Sequence, residues 1–178
     1  MNRETLGIYL NDHLAGATTG QLMSRHLAEH HRFSPYGDQL QHVADEIAED
    51  RQTLLAFLEA LGIPARRHKV YAGWLAEKAR LLKFNGRVMR RSGLSTVIEL
   101  ETLRLGIEGK ILLWQTLLEL APTKELDDAQ LRALLERARR QSETVGSVRR
   151  RAAVGAFHRP QRRTSARLLS ATRESTES

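Results

Sequence analysis

Leucine and other apolar residues recur at helical spacings along five separate stretches of this chain, and no stretch alternates as a strand does. Residues three or four apart share one face of a helix, and an apolar face has to be buried against others like it. The expected fold class is therefore all-α: a bundle of four to five helices whose chemistry sits on inward-facing side chains.

The first run, Arg3 to His31, aligns Leu6, Leu10, Leu14, Ala17, Ser24 and Ala28, with Gly16 and Gly20 flanking that face where a neighbour can come close. The second, Pro35 to Leu61, aligns Leu40, Val43, Ile47, Leu54, Leu58 and Leu61. Gly62 suits a C-terminal cap and Pro64 forbids continuation. The link between these two runs is short, which makes them antiparallel neighbours. A shorter amphipathic run, Ala65 to Phe84, carries Val70, Trp74, Leu81 and Leu82 and ends at the turn signal Asn85-Gly86.

The fourth run, Leu94 to Leu120, is the most apolar, with Ser95 as its expected cap. Leu100, Leu103, Ile107, Trp114 and Leu118 lie on one side and Ile98, Leu105 and Leu112 on another. Only Glu101, Arg104, Glu108, Gln115 and Glu119 make a polar stripe, so this helix is central in its domain or covered by a second subunit. The fifth run opens at Asp127 or Asp128 and continues to Ala156 with Leu131, Leu134, Leu135, Ala138, Val145 and Ala152 facing inward. The domain is thus expected over residues 3–156. Residues 157–178, rich in Arg, Ser and Thr and without periodicity, read as a disordered basic tail.

Charge follows the same division. The net charge is +7, yet residues 146–178 hold eight Arg against two Glu, which leaves the remainder almost neutral. Such a tail can bind nucleic acid or another anionic polymer without sequence preference. The chain has no cysteine, which excludes disulfides, thiolate metal sites and cysteine nucleophiles and accords with a cytoplasmic protein. No apolar run is long enough for a membrane span, and no secretory leader is visible at the start.

Two long helices, a short crossover helix and two more long helices is the layout of the ferritin-like superfamily. The opening Leu6-Gly7-Ile8-Tyr9-Leu10-Asn11-Asp12-His13 and the segment Phe57 to Gly62 resemble bacterial ferritin-like stress proteins, and Glu99 to Lys110 is similar to their third bundle helix. Residues 6 to about 153 also resemble a helical family of GC-rich bacteria. The resemblance implies a di-metal site with a Glu on two helices and Glu-x-x-His on two others, because positions i and i+3 share a face. This chain contains no Glu-x-x-His. Helix two offers Glu46 and Glu49, helix four Glu101 or Glu108, helix one Ala17, and helix five Gln141 and Thr144. Thr144 to Arg150 is similar to the peptide that loads ferritin-like enzymes into encapsulin shells, although it lies far from the chain end.

Several clusters have both a functional and a plain reading. His13, beside Tyr9, is a metal ligand or an edge histidine bonded to a carboxylate. Glu46 and Asp50 share a side and either hold a cation or are neutralised by Arg51 or another Arg. Glu101, Arg104 and Glu108 line a solvated groove or form a buried ionic seam that Lys78 could join. His26, His30 and His31 suit a transition metal or simply the C-terminal end of a helix dipole. Lys83, Arg87, Arg90 and Arg91, with Ser92 and Ser95, form a solvated basic loop or hold a phosphate.

Three functional readings follow. The first is a non-catalytic or metal-poor ferritin-like bundle that acts as a homo-oligomer or through protein interaction. The second is a carboxylate-bridged oxidase or iron handler that binds iron or another divalent metal through His13, Glu46, Glu49, Glu101 and Glu108. The third is binding of anionic polymers through the tail.

Overall fold

The computed structural model of the chain describes residues 2–66, 93–120 and 126–157. These form four helices: α1 (Arg3–His31), α2 (Gly37–Ala60), α3 (Gly93–Leu120) and α4 (Asp128–Phe157). Among the described residues there is no strand, and no helix is long and apolar enough to cross a membrane. Nearly all of the shorter run from Ala65 to Phe84, the basic loop with Lys83, Arg87, Arg90 and Arg91, and the tail beyond Phe157 lie outside the described residues.

Local chemistry accounts for the helix ends. The Asn2 side chain accepts from the backbone N–H groups of Glu4 and Thr5 at 3.1 and 3.2 Å, satisfying two of the donors that open α1. Pro35 lies in the turn before α2 rather than in its first helical turn: Gly37 N–H donates to Ser34 O at 3.0 Å, and the helix starts only there. Gly62 has φ +64, the left-handed conformation that ends a helix at no steric cost to glycine. Arg3 donates to Leu61 O at 2.7 Å and covers one of the open carbonyls at that end.

Beyond Gly62, the buried Asn11 side chain holds the departing chain. It donates to Pro64 O at 3.2 Å and accepts from Arg66 N–H at 2.7 Å. Ala65 and Arg66 are consequently non-helical, so a helix does not begin at Ala65 as expected. Helix α3 begins two residues before Ser95, which lies inside the first turn instead of capping it.

Four cross-helix contacts give the directions. Tyr9 meets Thr116 and His31 meets Thr96, so α1 and α3 are antiparallel. Asp50 meets Arg137 and Gln39 meets Arg151, so α2 and α4 are antiparallel. The helices α1 and α2 pair, α3 and α4 pair, and α2 and α3 run in the same direction. The end of α2 and the start of α3 therefore lie at opposite ends of the bundle.

The core is divided in two. One apolar cluster joins Leu10, Leu58, Trp114 and Leu131; the other joins Leu27, Val43, Leu103 and Val148. The residues expected to face inward on α2 are all buried. On α3, Leu100, Leu103, Ile107 and Trp114 are buried, while Leu105 and Leu112 are exposed. The stretch Thr144 to Arg150 forms part of α4, with Val145 and Val148 fully buried, and is not an extended peptide.

Candidate functional site at the polar waist

Between the two apolar clusters lies a layer of polar side chains. Asp50 follows Ile47 by three and precedes Leu54 by four; Lys110 stands in the same way between Ile107 and Trp114, and Gln141 between Ala138 and Val145. Each flanking residue is buried, so the helical period carries the polar residue into the interior. Asp50 is 2% exposed and Gln141 1%.

Hydrogen bonds close this layer on itself. Lys110 Nζ donates to Asp50 Oδ2 at 2.5 Å and to Gln141 Oε1. Gln141 Nε2 donates to Asp50 Oδ2 at 3.1 Å and to Glu46 Oε2 at 3.0 Å. Arg137 Nη2 donates to Asp50 Oδ1, and its Nη1 donates to Glu49 Oε2 at 2.8 Å. His42 Nε2 lies 3.4 Å from the other oxygen of Glu46. Asp50 thus serves two cations, as an ionised carboxylate this deeply buried must be neutralised. Burial pushes the Lys110 ammonium below its ordinary pKa of 10.5, with the charge and hydrogen bond of Asp50 opposing the shift.

The Arg that neutralises Asp50 is Arg137 rather than Arg51, whose Nε donates to Thr18 Oγ1 at 3.0 Å. Glu101 and Glu108 lie elsewhere, on the seam between α3 and α4. Glu101 accepts two bonds from Arg149 at 2.9 and 2.8 Å. Glu108 accepts from Ser142 Oγ at 2.6 Å, and Arg104 donates to the same hydroxyl at 3.2 Å. Arg104, Glu101 and Glu108 are about half exposed, so this is a solvated seam and not a buried one. Lys78 lies outside the described residues. His13 packs edge-on against Tyr9 with ring centroids 4.5 Å apart. Burial lowers its pKa below 6.5, opposed by the charge of Asp12.

The five residues proposed from sequence as metal ligands are therefore not one group. Glu46 bonds Gln141 and Glu49 bonds Arg137 at the waist; Glu101 and Glu108 belong to the α3–α4 seam; His13 sits on α1 against Tyr9. Among the described residues no three His, Asp or Glu side chains are arranged to hold a metal ion. The donors at the waist do not fit the di-metal set that the resemblance implies, because Lys110 and Arg137 already neutralise Asp50, Arg137 also bonds Glu49, and no Glu-x-x-His supplies an imidazole. At the end of α1, the His26 and His30 rings stack, and His31 faces Tyr36 and Thr96.

Helix α1 contributes no charge to the layer. Ala17 stands there, with Gly16 and Gly20 beside it and Gly106 and Gly109 on α3. A Cβ built on any of these four glycines meets nothing within 4 Å, so they leave space and do not bring the helices together. The result is a cavity of about 610 Å³ between α1 and α3, with Asp50, Lys110 and Trp114 among its lining residues.

Sequence reasoning missed Lys110 and Arg137. The signal for Lys110 was present in its spacing from Ile107 and Trp114, which puts it on the core face. Arg137 carries no such signal, because it stands in a run with Glu136, Arg139 and Arg140 that reads as a solvated face. No protein-family model, curated protein or solved structure matches this chain.

Proposed function

We propose that this chain is a ferritin-like bundle without a metal centre, acting non-catalytically by assembling with a second copy of itself. The direction of the helices supports the ferritin-like reading, since a parallel second and third bundle helix is the arrangement of that superfamily. The observation that carries the proposal is the Lys110 ammonium bonded to Asp50 at 2.5 Å in the middle of the bundle. A cation at that position repels a divalent ion and already neutralises the carboxylate beside it.

Protein purified without chelator should contain less than about 0.2 metal ions per chain by elemental analysis, because a real site retains one or two. One or two tightly held ions per chain would overturn the metal-free reading and restore the iron-handling one.

Assembly is supported by α3. Ile98, Leu105 and Leu112 are spaced seven apart on one face, and Leu105 is 72% exposed. A heptad row of this kind suits a facing helix from another copy. Light scattering coupled to size exclusion should report a dimer at micromolar concentration. The double substitution Leu105→Glu and Leu112→Glu should convert it to a monomer with unchanged helicity. A monomeric parent protein would sink the assembly reading.

A further inference from the structure

The cavity between α1 and α3 has the size of a small-molecule site, at about 610 Å³. Most of its wall is apolar, with Ile47, Leu54, Leu103 and Leu113 among the lining residues, so a guest must bring an apolar body. The charged groups on the same wall decide what else the guest carries. They are Asp12, Asp50, Arg51 and Lys110, two of each sign, together with His13. Glu46, Glu49 and Arg137 are not among the lining residues.

The two carboxylates of the wall are already committed. Asp50 is buried and accepts from Lys110, Arg137 and Gln141, and Asp12 is exposed to solvent and already engaged. The donors are not all committed. Arg51 is half-buried, and its Nε donates to Thr18 Oγ1 at 3.0 Å. Among the described residues neither of its Nη nitrogens has an acceptor, and no carboxylate pairs with it. Lys110 has three N–H groups and bonds two acceptors, Asp50 and Gln141. His13 makes no hydrogen bond among the described residues, and with its pKa lowered by burial it is uncharged at neutral pH. The hydroxyls of Thr19 and Thr102 donate to Ala15 O and Ile98 O, and keep only lone pairs for a guest.

A cationic guest therefore finds no open carboxylate and meets two fixed cations. A neutral guest that closes over Arg51 strips water from the guanidinium and returns no charge. A carboxylate answers both constraints. Its two oxygens match the pair of Nη donors that Arg51 keeps once Nε is held by Thr18. We propose that this cavity binds an amphipathic monocarboxylate, with its chain against the apolar wall and its carboxylate on Arg51.

Calorimetric titration of the full-length protein near neutral pH with decanoate, 1-decanol and decylammonium compares an anion, a neutral molecule and a cation on one alkyl chain. Decanoate should bind one per chain, at least about tenfold tighter than either other probe. Arg51→Met keeps an unbranched side chain and removes the charge. It should weaken decanoate at least about tenfold and leave decanol unchanged. A second variant leaves Arg51 in place: leucine at Gly20 and Gly109, both with open space around a built Cβ, should fill the cavity. Decanoate should again weaken at least about tenfold, while circular dichroism stays the same. No saturable decanoate binding, or equal or tighter binding of decanol or decylammonium, would overturn the proposal. Undiminished decanoate binding to the filled variant would overturn the cavity as its place, and undiminished binding to Arg51→Met would overturn the role of the guanidinium. The readout depends on neither oligomeric state nor metal content, so its failure is distinguishable from failure of the assembly and metal-free readings.

Discussion

Asp50, Lys110 and Gln141 show how one residue in each of three helices can be dictated by its neighbours' partners. Removing Lys110 leaves Asp50 with Arg137 as its one cation, whereas removing Asp50 takes from Lys110 and Arg137 the carboxylate they share. Breaking a buried pair from one side is costly, so Lys110→Met should lower unfolding free energy by about 2–4 kcal/mol in urea titrations. His13 gives a pH-dependent prediction of definite sign. Its folded pKa lies below 6.5, so between that value and 6.5 the unfolded chain binds more protons than the folded one. The contribution of His13 is therefore complete above pH 6.5 and is lost as the pH falls through that window. His13→Gln should flatten this part of the stability–pH curve, and a histidine ring-proton titration should place the midpoint below 6.5.

At the scale of the helix, glycines separate positions with room from positions without. Gly16 and Gly106 are mid-helix with nothing near a built Cβ, so Ala at either should raise stability by about 0.5–1 kcal/mol through backbone entropy alone. Gly37 opens α2 with a built Cβ 2.6 Å from Arg32 O and 2.7 Å from His31 O, and neither backbone atom can step aside. Gly37→Ala should therefore cost about 1–3 kcal/mol, and thermal melts of the three variants would separate the two classes. The same contrast explains what could be read from the chain alone. The ends of α1, α3 and α4 fall within a residue or so of where the apolar period puts them, because period and caps act locally. The space beside Gly16 and Gly20 depends on which helix lies opposite and how closely, and small residues fit a close approach and a cavity equally well. Asn11 was hidden for a similar reason: its two partners outside α1, Pro64 and Arg66, are more than fifty residues away.

For the whole molecule, the question is why a bundle with enough leucine for a continuous core interrupts it with an ionic layer. Hydrophobic residues are 41% of the chain, and both apolar clusters reach all four helices without the waist. Desolvating Asp50 and Lys110 offsets most of what their attraction returns, so the layer adds little net stability. What it does add is discrimination: α2, α3 and α4 can slide or rotate only by stranding a charge, and the two apolar clusters alone impose no such penalty. Replacing the three central residues together separates these contributions. Asp50→Leu, Lys110→Met and Gln141→Leu leave Arg137 paired with the exposed Glu49 and fuse the two clusters. The triple variant should unfold at equal or higher urea concentration than the parent, by up to about 1–3 kcal/mol, although Lys110→Met alone is destabilising. If register is what the waist secures, the triple variant should also show broadened or doubled amide resonances in α3 and α4, where one parent conformation gives single peaks. A triple variant that loses as much stability as Lys110→Met, with single sharp resonances, would instead assign the layer to stability and not to register.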